Sequence, residues 1–204
     1  MKQFGLIGQH LGHSFSSSYF LQKFKIDGIE NAQYNNFPLA SINEFTSLLQ
    51  QQPTLSGLNV TIPYKTAIIP FLNILTKQAA AVGAVNTIEF NNGQLIGHNT
   101  DVYGFERSLL DALLPCHKNC KALILGTGGA SKAVQYVCRR LGIGFQLVSR
   151  TAAKNQLRYE AVTATILSQY LLIINTSPLG MHPNTATFPA IPYSYLNSQH
   201  LLYD

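Results

Sequence analysis

Short apolar runs that alternate with stretches of helical spacing predict an α/β chain. Phe4 to Gly8 reads as a buried strand, closed by Gly8 and followed by a polar loop carrying His13, Ser14 and Ser16. A helix is expected to begin near Ser16 to Ser18, where hydroxyls can cap it, and Phe20, Leu21 and Phe24 recur at helical spacing. Tyr34 to Phe37 reads as a strand, Ile42 to Leu49 as a helix and Gly57 to Val60 as a further strand. Pro63 ends that strand and starts a turn that presents Lys65. The spacing predicts a helix over Ile68 to Ala81 with a break near Pro70. Val85 to Phe90 is expected to pair with Leu95-Ile96 across Asn91-Asn92-Gly93, a hairpin signal.

From Thr100 the pattern becomes a helix that ends near Leu114-Pro115, and this is the expected connection between two domains, residues 1–100 and 101–204. Lys121 to Leu125 then reads as a strand, and Ala130 to Leu141 as a helix with Ala133, Val134, Val137 and Leu141 on one face. Phe145 to Val148 completes a βαβ unit of the dinucleotide-binding kind. Leu171 to Ile174 is a third buried strand and His200 to Tyr203 a fourth. The first half is thus expected to hold a mostly parallel sheet with covering helices, and the second a Rossmann-like domain.

Composition narrows the function classes. A hydrophobic fraction of 46% is ample for packed cores, and a charged fraction of only 11% means that the formal charge of +5 reflects few acids rather than basic clusters. No run of Lys or Arg marks a nucleic-acid surface. The mild positive excess suits an anionic small molecule such as a phosphate-bearing cofactor or a carboxylate. The three cysteines, Cys116, Cys120 and Cys138, make no paired disulfide framework, which points to a reducing compartment and the cytoplasm. Cys116 and Cys120 beside His117 lack the spacing of a metal-binding pair, and no second pair follows, so no metal is expected. No signal-peptide apolar region develops after Phe4, Leu6 and Ile7, and no stretch is long enough to span a membrane.

The chemistry concentrates in two places. Asn59-Val60-Thr61-Ile62-Pro63-Tyr64-Lys65, Gly83-Ala84-Val85-Asn86-Thr87 and Gly97-His98-Asn99-Thr100-Asp101 set one lysine and one aspartate among small polar groups. Lys65 can give or take a proton, Asp101 can hold that lysine and accept from a hydroxyl, and Thr61 and Asn86 can fix further hydroxyls. Such a pocket suits a small, polyhydroxylated, uncharged ring. Read singly, Thr61 and Asn86 are turn and strand-end residues, Lys65 a solvated cation and Asp101 a helix cap. Asp101 can serve both purposes.

The second place is Ala122-Leu123-Ile124-Leu125-Gly126-Thr127-Gly128-Gly129-Ala130, an apolar strand running into a glycine turn. Gly126, Gly128 and Gly129 let the backbone turn tightly and approach a pyrophosphate at the start of a helix, flanked by Thr127 and Ala130. Ser131 stands where the third glycine of the usual pattern falls. The next strand ends in Ser149-Arg150-Thr151, roughly 20 residues beyond the glycine turn, where NAD enzymes place an acid for the ribose hydroxyls. Here the position is basic. A guanidinium can pair bidentately with a 2′-phosphate, with Thr151 and Lys154 as further donors, so the cofactor expected is NADP.

These motifs and their order resemble the shikimate dehydrogenase family, which reads roughly HSxSP, NVTIPxK, GAVNT, NTD, GAGGA, NRT and GM. The resemblance covers almost the whole chain. It implies NADPH-dependent reduction of 3-dehydroshikimate to shikimate, in aromatic amino-acid biosynthesis by way of chorismate, with the active site in a cleft between two domains. It assigns Lys65 and Asp101 to catalysis, Thr61 and Asn86 to substrate hydroxyls, and Ser14 and Ser16 to the substrate carboxylate. His13, just before that pair, is expected to be structural. Asn175 to Met181, with Thr176, would line the nicotinamide half, where Met181 either packs on the ring or fills core. The partners implied are the small-molecule substrate and NADP, with no nucleic acid and no membrane, in a monomer or homodimer.

The chain also departs from the family pattern. Ser17, Phe20 and Leu21 replace a proline and a His-Asn pair, and Lys77 stands where many members carry an acid near the cofactor. Family members continue some dozens of residues past the segment like Leu202-Tyr203-Asp204, through a further tyrosine, a glycine near the nicotinamide and a substrate-contacting glutamine. Two other expectations follow: a quinate/shikimate dehydrogenase using NAD, disfavoured by Arg150 and Lys154, and a shortened binding module without catalysis. Loss of the covering segment would expose apolar surface and lead to lower stability or self-association.

Overall fold

The computed structural model describes residues 1–12 and 14–204; the expectation for His13 lies outside the described residues. The chain divides into two compact units, Met1–Thr100 and Asp101–Asp204.

The first unit runs β1 (Lys2–Gly8), α1 (Ser16–Ile26), β2 (Ala32–Pro38), α2 (Phe45–Gln51), β3 (Leu55–Val60), α3 (Tyr64–Ala67), β4 (Ile74–Leu75), α4 (Lys77–Val82), β5 (Thr87–Asn91) and β6 (Gln94–His98). Its sheet has the order β2-β1-β3-β5-β6-β4. β2, β1 and β3 are parallel, β5 runs antiparallel to β3 and to β6, and β4 is parallel to β6. The β5-β6 turn is the two-residue Asn92-Gly93 loop, with φ of 49° and 77°, the left-handed pair that matches the twist of a tight hairpin.

Alternation along the strands divides the side chains between two faces. Ile7, Leu58, Val60 and Ile88 join Phe45 and Leu48 of α2, Tyr64 of α3 and Ala79 of α4 in one core. On the other face Leu6 and Tyr34 meet Phe4 and the α1 residues Phe20 and Phe24. No residue of α1 is fully buried, and Tyr19, Leu21 and Ile26 are exposed.

One expected element is wrong. Ile68 to Ala81 is not a broken helix but a 3₁₀ turn over Ile69–Phe71, strand β4 and helix α4. Pro70 supplies no N–H, and the segment finds better partners on β6. Asn73 donates its N–H to the Leu95 carbonyl at 3.0 Å and accepts the Leu95 N–H on Oδ1 at 2.8 Å, and Thr76 donates to the Gly97 carbonyl. The Thr76 hydroxyl then caps α4 by accepting from the Ala79 N–H.

The second unit runs α5 (Asp101–Ala112), β7 (Lys121–Leu125), α6 (Gly129–Arg140), β8 (Gly144–Val148), β9 (Gln156–Leu157), α7 (Ala164–Gln169), β10 (Leu172–Asn175) and β11 (Leu201–Tyr203). All its strands are parallel, in the order β11-β10-β7-β8-β9. Ala122, Leu123, Ile124 and Leu125 are at most 1% exposed, as befits a central parallel strand covered on both faces. α6 packs on β7 and β8 through Ala133, Val134 and Val137, and α5 packs on α6. On the other face Leu123, Leu125, Val148 and Ile173 meet Val162, Leu167 and Ile191. β9 and α7 were not expected from the pattern. α7 opens on a Thr163 side-chain cap.

Two histidines pin the turn before β11. His117 accepts the Leu114 N–H on Nδ1 at 2.9 Å and lies 3.0 Å through Nε2 from the Gln199 carbonyl, which can only accept. His200 Nε2 likewise reaches the Leu167 carbonyl at 3.1 Å. Both ring nitrogens of His117 are thus committed to the backbone.

Phe45, with no exposed surface, is the largest fully buried side chain of the first core. Phe45→Ala is expected to cost about 3–5 kcal/mol of unfolding free energy in a denaturant titration, with the transition still cooperative.

Candidate active site

Three of the proposed substrate residues of the first unit, Thr61, Lys65 and Asn86, gather at the carboxyl end of β3. Thr61, just past that strand, donates its N–H to the Ile7 carbonyl at 2.9 Å and accepts from the Tyr64 N–H at 2.9 Å, closing the turn into α3. Gly8 is obligatory beside it, since a Cβ there would lie 2.5 Å from the Thr61 methyl. Tyr64, buried, donates its hydroxyl to the Leu39 carbonyl at 2.6 Å and anchors the turn from below. Lys65 is the next residue, half-buried, and its carbonyl accepts the Val85 N–H at 2.7 Å. The lysine turn is therefore tied to the segment that leads directly into Asn86.

Asn86 is held on every side. Its carbonyl accepts from the Val60 N–H and its N–H donates to the His98 carbonyl. Its Oδ1 accepts the Thr100 N–H at 2.8 Å, which fixes the amide orientation, and its Nδ2 donates to the Thr100 hydroxyl at 2.8 Å. Buried Asn99 donates to the Ala84 carbonyl at 2.9 Å, locking the neighbouring chain in the same place. Thr100 closes the first unit, and Asp101 is the first residue of α5, the acid in its opening turn.

Ser14 and Ser16 stand at the start of α1. The Ser14 hydroxyl accepts the Ser16 N–H at 3.2 Å, and Ser17 donates to the Tyr34 carbonyl at 3.3 Å. The Tyr34 phenol beneath them donates to Asn59 at 2.8 Å. Burial pushes that phenol up to about 12, with the Ser16 hydroxyl acting in the opposite sense. Phe20 stacks on Tyr34 with centroids 4.6 Å apart, so the residue that departs from the family pattern serves as a platform for the tyrosine.

In the second unit the glycine turn lies where the strand order reverses, since β7 is followed outward by β8 and β9 on one side and by β10 and β11 on the other. Open parallel sheets bind ligands beyond the carboxyl ends of their strands at such a point. Gly126 has φ of 116° and donates its N–H to the Val148 carbonyl at 2.9 Å. Thr176, at the end of β10, sends both its N–H and its hydroxyl to the Leu125 carbonyl at 2.9 Å. Gly126, Thr176 and the end of β8 thus form one continuous rim.

Gly128 caps α6 in extended backbone, with open space where a Cβ would point, so a ligand can approach the helix start across Thr127, Gly128, Gly129 and Ala130. Ser131 replaces the third glycine without opening a gap, for it is fully buried and accepts from the Gln135 side chain at 3.1 Å. Ser149 continues β8 by donating its N–H to the Leu157 carbonyl. Arg150, Thr151 and Lys154 are exposed beyond it. Tyr159 lies near Arg150: burial raises its phenol, and the guanidinium opposes that shift. Met181 is 56% exposed in the loop after β10 and fills no core. That loop is shaped by Asn175, which donates to the Leu179 carbonyl and to Asp204. Ser149, Thr151 and Lys154 have no side-chain hydrogen bond to the glycine turn among the described residues.

Residues 6–88 match the family described as "Shikimate dehydrogenase substrate binding domain". A shikimate dehydrogenase (NADP(+)) of Methanosphaera stadtmanae is 33% identical over 98% of this chain and 76% of its own length. The chain belongs to the shikimate dehydrogenase family. Among solved structures, shikimate dehydrogenase 1 of Peptoclostridium difficile aligns with a TM-score of 0.83 at 33% identity, over 96% of this chain and 74% of that one. A shikimate 5-dehydrogenase of Thermus thermophilus, solved with NADP(H) and shikimate, aligns with a TM-score of 0.83 at 26% identity, over 99% and 77%. As in those shikimate dehydrogenases, the architecture is a two-domain α/β fold.

Sequence reasoning missed the residues that hold Asn86 and Ser16 in place. Asn59, Tyr34, Thr87 and Thr100 all occur on or beside predicted strands, and Asn59 of β3 and Thr61 just past its end fall on one side by simple alternation. A polar side chain repeated on one face of an otherwise apolar strand was the available signal.

Gly126 is held in left-handed backbone, and a Cβ there would lie 2.8 Å from the Thr176 hydroxyl. Gly126→Ala should therefore lower stability by about 1–3 kcal/mol, measured as a drop in melting temperature, whereas the same change at unhindered Gly104 should stay within about 0.5 kcal/mol.

Proposed function

We propose that this chain is an NADP-dependent shikimate dehydrogenase that reduces 3-dehydroshikimate reversibly to shikimate, within the biosynthesis of chorismate and the aromatic amino acids in the cytoplasm. The observation that carries the reading is the clustering of Thr61, Lys65 and Asn86 at one strand end, in a chain of this family that also has a glycine turn at a sheet switch point. Residues 1–100 take the substrate and 101–204 the cofactor, in a monomer or homodimer. The family match over residues 6–88 supports the first assignment. The open backbone at Gly128 and the exposed Arg150 fit a dinucleotide with a 2′-phosphate.

NADPH, when bound, supplies the hydride that reduces the ring carbonyl. Lys65 gives its proton to the carbonyl oxygen as negative charge develops there, and takes it back in the oxidation direction. Asp101 accepts from a neighbouring substrate hydroxyl and orients the lysine. Thr61 and Asn86 hold hydroxyls, and the paired serines Ser14 and Ser16 donate to the carboxylate. Arg150 would hold the 2′-phosphate, aided by Thr151 and Lys154, with Ser149 at the strand end. Gly126, Thr127, Gly128, Gly129 and Ala130 receive the pyrophosphate, and Thr176 and Met181 border the nicotinamide.

Reduction of 3-dehydroshikimate, followed by loss of NADPH absorbance, tests the whole reading, and Lys65→Ala should lower kcat about 10²–10⁴-fold while changing KM little. An unchanged kcat removes Lys65 from proton transfer. Arg150→Ala should raise KM for NADPH about 10–100-fold and leave KM for NADH unaltered, since a charge-assisted bond to the phosphate is lost. A wild-type preference for NADH contradicts the cofactor assignment. Binding of both ligands without turnover would make the chain a binding module.

A further inference from the structure

We infer that Tyr34 is a positioning residue for the substrate-binding amide of Asn86, acting through Asn59 and Thr87. The inference rests on the reading of Asn86 as a substrate contact. A line of hydrogen bonds crosses the sheet face from β2 to the end of the first unit, and its direction is fixed by groups that can only donate or only accept. The Asn59 Nδ2 faces the Asn86 carbonyl at 3.5 Å, an acceptor, so the Asn59 Oδ1 must face Tyr34, whose hydroxyl donates to it at 2.8 Å. The same Nδ2 donates to the Thr87 hydroxyl at 3.3 Å, and Thr87 donates to the Asn86 Oδ1 at 3.1 Å. That oxygen already receives the Thr100 backbone N–H, so the amide of Asn86 ends the line with its Nδ2 turned to the Thr100 hydroxyl.

Every link is at least partly withdrawn from water between Tyr34 and Thr87, where a misdirected dipole is costly. The ring at the head of the line cannot swing away, because Phe20 stacks on it in near-parallel contact. Ser17 also bonds the Tyr34 carbonyl, and this joins the start of α1 to the same tyrosine. Removing the phenol leaves the Asn59 Oδ1 without its donor and allows that amide to rotate. The rotated amide would set an oxygen against the Asn86 carbonyl and withdraw the donor that orients Thr87.

Tyr34→Phe keeps the stacked ring and removes only the hydroxyl. In the full chain, calorimetric titration with shikimate should show Kd raised about three- to tenfold, the worth of one net hydrogen bond, with kcat at saturating substrate within about twofold of wild type. Thr87→Val cuts the next link, and the double variant should bind no more weakly than the weaker single variant, since both sever one line. An unaltered Kd in Tyr34→Phe, or losses that multiply in the double variant, overturns the inference. If wild type itself binds no shikimate, the proposed function fails, and the relay is then read in the ligand-free protein. The Asn86 side-chain amide resonances of a folded Tyr34→Phe variant should shift relative to wild type, and resonances that stay fixed overturn it equally.

Discussion

The geometry of the first unit depends on how the end of β3 is joined to the start of β5. The Val60 N–H to Asn86 carbonyl bond, with the Val85 N–H bonded to the Lys65 carbonyl, welds two sequence motifs, one around Asn59 to Lys65 and the other around Gly83 to Thr87. Neither bond involves a side chain, so the arrangement is a property of the sheet crossing rather than of the functional groups that it carries. This matters for precision. A lysine on a four-residue helix would be a poor reference point alone, but here the helix is tied through its own backbone to the strand entry that holds Asn86. The side-chain clamp from Asn86 to Thr100 then extends the same rigid frame to the last residue of the unit.

The second unit solves a related problem by different means. A parallel sheet buried on both faces leaves only the strand ends for chemistry, and its reversal of order opens the ends of β7 and β10 side by side. The contact between Gly126 and Thr176 is closer than any side chain on residue 126 would allow, so the glycine is required by its neighbour as well as by its own φ.

Elements with strong local patterns were legible in the sequence. The β7-α6-β8 succession, the Asn92-Gly93 hairpin and the helix beginning at Asp101 each follow from apolar spacing and turn residues. The segment from Ile68 to Ala81 was not, because its two-residue strand draws its stability from β6, a partner supplied later in the chain. β9 is equally short and borrows its pairing from β8. The same division holds for the site. Lys65, Thr61 and Asn86 stand in motifs and are readable, whereas Tyr34 and Thr87 gain meaning only when β2 and β5 are placed on the same face of one sheet.

His117 carries a consequence of another kind. Its ring accepts a hydrogen bond from the Leu114 N–H at Nδ1 and donates one to the Gln199 carbonyl at Nε2, joining the stretch after α5 to the turn before β11. Such a connector has polarity: Nδ1 faces a donor and Nε2 an acceptor, so the tautomer with hydrogen on Nε2 joins both ends and the other tautomer joins neither. The fold therefore selects one isomer of one side chain. The nitrogen-15 spectrum of that ring is a direct label of whether the last strand is seated.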